Sequence, residues 1–102
     1  MTRGEIWLSQ VGRKPRPVLV LTRSEVIDVR ELVTVAEITT SIRGLAAEVG
    51  IDHDDAGLDE PCVVNCDGIH TIAQSSLTRL VGEATGDTMS SVCTSLAYAL
   101  GC

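Results

Sequence analysis

The chain of 102 residues contains no phenylalanine, one tryptophan and one tyrosine. An RNA-binding sheet built on stacked aromatics needs several π-faces, so Trp7 and Tyr98 alone exclude that class. Positive charge is scarce as well. Eight Lys and Arg stand against 14 Asp and Glu, a formal net charge of −6. A protein that coats nucleic acid needs a positive field overall, and this chain lacks one. No stretch approaches the ~20 apolar residues that span a bilayer. The start, Met1 to Glu5, is too polar for a secretory leader. The four cysteines (Cys62, Cys66, Cys93 and Cys102) form no C-x-x-C pair. These absences predict a cytoplasmic protein with free thiols and no membrane contact. There is no G-x-S-x-G turn around Ser75-Ser76, which argues against a serine hydrolase.

What is present is a hydrophobic content of 44%, enough for a modest core. A single core seldom divides below ~200 residues, so residues 1–102 are expected to form one domain. Charge is uneven along it. Arg3, Arg13, Lys14, Arg16 and Arg23 place five of the eight cations in the first 23 residues. Glu48, Asp52, Asp54, Asp55, Asp59, Glu60 and Asp67 hold half of the 14 anions. A basic patch on an acidic body remains open.

Most of the chain reads as strand. Glu5 to Leu8 is a short extended run, and Pro17 to Leu21 is a continuous apolar run of the kind buried on both faces. Ser24 to Glu31 reads as a loop or one helical turn. Leu32 to Ile38 is a second strong strand, Ala47 to Val49 a third, and Cys62 to Cys66 a fourth that ends at a turn on Gly68. Thr71 to Ala73 and Leu80 to Gly82 read as two further short strands. The period then changes. Met89, Val92, Cys93, Leu96 and Leu100 fall on one helical face over roughly three turns, with Asp87 or Thr88 as cap and Gly101 as stop. The pattern predicts a mainly β domain with a C-terminal helix, arranged as a small, partly closed barrel.

Three strings carry candidate chemistry. Arg16 lies between Pro15 and Pro17, which fix or restrict its backbone, so its guanidinium is set at a strand mouth to fork onto a phosphate. Arg13 and Lys14 precede it. The plainer alternative is a solvated basic turn. Thr39, Thr40 and Ser41 follow a strand and can donate to phosphate oxygens, with Arg43 beyond; the alternative is a turn whose hydroxyls serve their own backbone. Asn65-Cys66-Asp67-Gly68 offers Asp67 as a general base, or an ordinary Asp-Gly turn. A metal site is not expected. His53-Asp54-Asp55 and His70 lack ligand spacing, and the sulfurs of Cys62 and Cys66 would lie ~13 Å apart on a strand. The thiols read as small buried hydrophobes, except the terminal Cys102.

In order, these strings resemble the MazF/PemK/Kid toxins. Arg3-Gly4-Glu5-Ile6-Trp7 is similar to their opening, and Arg16-Pro17-Val18-Leu19-Val20 to their second strand. Ala36-Glu37-Ile38-Thr39-Thr40-Ser41-Ile42-Arg43-Gly44 resembles a further block, as do Val63 to Asp67 and His70-Thr71-Ile72. The resemblance covers almost the whole chain. It implies an SH3-like barrel of the MazF/CcdB type, working as a homodimer without cofactor or metal. It implies sequence-selective cleavage of single-stranded RNA by 2′-hydroxyl attack, and an antitoxin partner that lays a disordered acidic segment over the RNA groove. By position, Arg16 matches the family's catalytic arginine, Thr39 its active-site threonine and Asp67 the carboxylate base of one branch. Arg13, Lys14, Thr40, Ser41, Arg43, Asn65 and His70 would contact RNA.

Two departures stand out. Asn65 occupies the place of that branch's arginine acid and delivers no proton usefully, leaving Arg16 or His70 as donor. Ser9 to Pro15 is shorter than the family's glycine-rich first loop. A CcdB-like toxin that binds DNA gyrase, and a catalytically impaired partner-binding relative, are the competing readings.

Overall fold

The computed structural model describes residues 1–10 and 14–102. Its strands are β1 (Glu5–Ser9), β2 (Arg16–Val20), β3 (Leu32–Thr39), β4 (Glu48–Ile51), β5 (Cys62–Ala73) and β6 (Leu77–Glu83). They form one antiparallel sheet in the order β4-β5-β3-β2-β1-β6. A single helical turn, α1 (Ser24–Ile27), joins β2 to β3, and α2 (Gly86–Leu100) closes the chain.

The run in β2 is buried on both faces, as its lack of alternation predicts: Val18, Leu19 and Val20 are all buried. Leu19 joins Ile6, Ala36, Ile38, Val64, Cys66 and Val92 in the core beneath α2. Val18 and Val20 join Val33, Val35, Leu77 and Ile27 of α1 on the opposite face. The sheet therefore carries an apolar layer on each side. Its two edges approach each other through the 52–61 loop. A Cβ on Gly57 (φ +78°) would stand 2.5 Å from the Val81 carbonyl oxygen, and one on Gly82 would overlap the Ala56 carbonyl. These contacts bring the loop after edge strand β4 onto edge strand β6 and curl the sheet towards closure.

Several local expectations are corrected. Pro17 is the second residue of its strand, after Arg16. Cys62 to Ala73 is one strand of 12 residues, not two separated by a turn at Gly68. β3 supplies the reason: Glu37 pairs with Asn65 and Ala36 with Ile69, so Cys66, Asp67 and Gly68 are accommodated as a bulge. The α2 helix begins earlier than its apolar spacing suggests, at Gly86. Its cap is Thr85, whose Oγ1 accepts from the Thr88 N–H at 3.1 Å. Gly101 ends it at φ +75°, as expected. Its buried face uses Met89, Val92, Leu96 and Ala99, while Cys93 and Leu100 are exposed. Cys93 is thus not the buried hydrophobe expected; the Arg3 guanidinium donates to its sulfur at 3.1 Å. No helix among the described residues is long and apolar enough to cross a membrane.

Leu19 is fully buried in the central part of the sheet. Leu19→Ala is expected to lower stability by about 2–5 kcal/mol, read as the shift in chemical denaturation at constant m-value.

Candidate active site

The register of β2 on β3 builds the site. Val20 faces Val35, Leu19 faces Ala36 and Val18 faces Glu37. The paired register ends at Val18, and its direction carries the first residue of β2 and the last of β3 towards the same clefts. These are Arg16 and Thr39. Both line a cleft of about 400 Å³ with Thr40, Leu58, Asp59 and Arg79. Both also line a narrower cleft of about 140 Å³ with Glu37, Ser41, Arg43 and Asn65. Arg16 further borders a third cleft, of about 190 Å³, with Ser9, Val35, Glu37 and His70. One guanidinium thus stands at the junction of three adjoining depressions.

Arg16 makes no ion pair among the described residues. Its charge is available to an anion. The Thr39 hydroxyl is held differently. Its oxygen accepts from the Ser41 N–H at 3.0 Å, so the expected backbone turn is real. That bond uses a lone pair and leaves the hydroxyl proton to donate into the cleft.

The loop after β3 is fixed by Glu48, which sequence reasoning missed. Its Oε1 accepts from the N–H groups of Arg43 (2.9 Å), Gly44 (2.9 Å) and Leu45 (3.3 Å). Gly44, at φ +72°, permits this turn of converging N–H groups around an anion. The Arg43 Nε reaches Glu48 Oε2 at 3.4 Å, so Arg43 is tethered and part of its charge is answered internally. Burial acts to raise the Glu48 pKa, but the hydrogen bonds from Arg43, Leu45 and Gly44 together outweigh it and hold the carboxyl below its usual value.

A family match covers residues 2–100, that of the PemK-like, MazF-like toxin of type II toxin–antitoxin systems. The chain belongs to this family. It is 34% identical over 102 residues, all of both chains, to a protein named probable endoribonuclease MazF2 of Mycobacterium tuberculosis. Among solved structures it resembles the Mycobacterium tuberculosis toxin MazF-mt6, with a TM-score of 0.89, 38% identity and coverage of 95% of this chain and 96% of that one. It also resembles a mycobacterial endoribonuclease in complex with its cognate antitoxin. There the TM-score is 0.90 at 28% identity, over 99% of this chain and 95% of that one. The mainly β architecture with a C-terminal helix is that of the MazF toxins.

Not all the residues singled out in the sequence meet. Arg16, Thr39, Thr40, Ser41, Arg43, Asn65 and His70 all line the three clefts. Lys14 is exposed and lines none of them. Arg13 lies outside the described residues. Asp67 sits in the β5 bulge, exposed, with its N–H donating to Asn65 Oδ1 at 3.1 Å, and lines none of the three clefts. The carboxylate that lines two of them is Glu37. One signal for it exists in the sequence: strand alternation puts Glu37 on the same face as the buried Val33 and Val35. Burial pushes the Cys62 thiol up, and burial with Asp67 and Cys93 does the same for Cys66, which keeps both thiols protonated and poorly nucleophilic.

A depressed carboxyl pKa stabilises the fold above the unfolded value and loses that contribution as pH falls through the folded one. Glu48→Gln is therefore expected to be less stable than wild type at neutral pH. The gap should narrow below the usual carboxylate value of 4.5, as measured by denaturation from pH 7 to 3.

Proposed function

We propose that the chain is a sequence-selective, metal-independent endoribonuclease acting on single-stranded RNA, the toxin of a type II toxin–antitoxin pair. The observation that carries this is the meeting of Arg16 and Thr39 in the same two clefts. Family membership and the relatives' names support the activity. Arg16 grips the non-bridging oxygens of the scissile phosphate and neutralises the charge that grows on them. Thr39 donates to one of those oxygens. The ribose 2′-hydroxyl attacks its own phosphorus, the 5′-oxygen leaves, and the products are a 2′,3′-cyclic phosphate and a 5′-hydroxyl. Protein groups meet the charge demand, so no metal step is required. Ser41, Arg43 and Asn65 hold the flanking nucleotides.

The reading extends to partners. The protein works as a cytoplasmic homodimer of single-domain chains. An antitoxin with a disordered acidic segment inhibits it, because side-chain carboxylates compete with phosphate for Arg16, Arg43 and Arg79. The solved relative bound to its cognate antitoxin supports that partner class.

The test is incubation of purified protein with a long RNA in EDTA, with mapping of 5′-ends. Cuts should recur at one short sequence. Arg16→Ala should lose about 10²–10³-fold in rate, as for removal of a group that stabilises transition-state charge. Thr39→Val, which loses one hydrogen bond to a charged group, should lose about 10–100-fold. RNA left intact by the wild type contradicts the proposal.

A further inference from the structure

The reaction needs one group to take the 2′-proton and another to protonate the leaving 5′-oxygen. Asp67, the carboxylate that the family resemblance points to, stands off the clefts around Arg16. A different pair lies inside them. His70 Nε2 is 3.3 Å from Glu37 Oε1, and both side chains are about half exposed, at 52% and 42%. The pair spans neighbouring strands, since His70 of β5 pairs with Val35 of β3, two residues before Glu37. Both residues line the 190 Å³ cleft with Arg16, and Glu37 continues into the adjoining cleft with Arg16 and Thr39.

The bulge in β5 makes this arrangement possible. A Cβ on Gly68 would overlap Glu37 Oε2, and it would stand 3.1 Å from Asn65 Nδ2. The absent side chain leaves a seat above the bulge for the second carboxylate oxygen. Glu37 thus has one oxygen on His70 and the other over Gly68. Glu37 therefore stands where the apolar face of Val33, Val35, Val18 and Val20 gives way to a polar cleft with Arg16 and His70.

We propose that Glu37 and His70 are the acid–base couple of this site. The assignment rests on the endoribonuclease reading above. Ionised Glu37 takes the proton of the 2′-hydroxyl as the O2′–P bond forms. Protonated His70 gives its proton to the 5′-oxygen as the P–O5′ bond breaks. The step ends with Glu37 protonated, His70 neutral, a cyclic phosphate and a 5′-hydroxyl. Transfer of the proton across the Glu37–His70 contact restores the starting state. The charged groups facing the couple across the two clefts are Arg16 from β2 and Arg43 from the loop after β3. The rate should follow a bell-shaped pH profile that requires Glu37 ionised and His70 protonated.

The experiment is single-turnover cleavage in EDTA of two RNA oligonucleotides. One has the normal linkage, and the other has sulfur in place of the bridging 5′-oxygen. A thiolate leaves without a proton. Glu37→Gln and His70→Asn should each lose about 10²–10⁴-fold on the normal substrate. On the sulfur substrate, His70→Asn should return to near the wild-type rate and lose the alkaline limb of its profile, while Glu37→Gln should stay slow. Binding of a 2′-deoxy oligonucleotide, measured in parallel, should persist in both variants and show that they are folded. Equal losses by His70→Asn on both substrates overturn the proposal. So does a Glu37→Gln variant that keeps its rate while Asp67→Asn loses it; that result keeps the nuclease and moves its base. A wild type that cleaves neither substrate overturns the nuclease reading itself.

Discussion

Pairing of β2 with β3 is the constraint on which the site depends. β2 lies inside the sheet, bonded to β1 on one side and β3 on the other, and its apolar residues feed both cores. Leu19 must face the core under α2, while Val18 and Val20 must face the core over α1. A slip of one residue would exchange these faces and is therefore strongly opposed. The same pairing brings the strand ends that carry Arg16 and Thr39 to the same clefts. Two functional groups are thus placed by one packing requirement: the fold places the guanidinium, and the neighbouring strand end places the hydroxyl.

Around this junction the electrostatics are local. The chain is acidic overall, at −6, yet Arg16, Arg43 and Arg79 border the clefts. Asp59 and Glu60 line the largest of them beside Arg79. A polyanion meets attraction at the cleft and repulsion over much of the remaining surface, which favours binding in one place. Glu48 completes the arrangement by ordering the loop that follows Thr39, at the expense of part of the Arg43 charge.

The parts of this structure legible in the sequence are those written by local pattern. The apolar runs of β2 and β3, the stop at Gly101 and the proline-flanked Arg16 each carry their own signal. The continuity of β5 does not. Asp67-Gly68 has turn chemistry, and only the partner strand turns it into a bulge within a longer strand. That bulge also explains the site. Regular alternation would have kept Asp67 in step with Asn65, but the three inserted residues leave it outside the clefts, and the space over Gly68 goes to Glu37. Glu37 is masked in the sequence because the hydroxyl-rich Thr39-Thr40-Ser41 string follows just after it. Thr85 gives no signal as a cap because the apolar period of α2 starts a turn later, at Met89.

The central claim is that Arg16 and Thr39 hold the same phosphate. The most direct measurement is a crystal structure of the protein with an RNA oligonucleotide that is 2′-deoxy at the cleaved nucleotide. The account predicts one phosphate within hydrogen-bond distance of both the Arg16 guanidinium and Thr39 Oγ1. Density that places the two side chains on different phosphates, or the scissile linkage away from both, would contradict it.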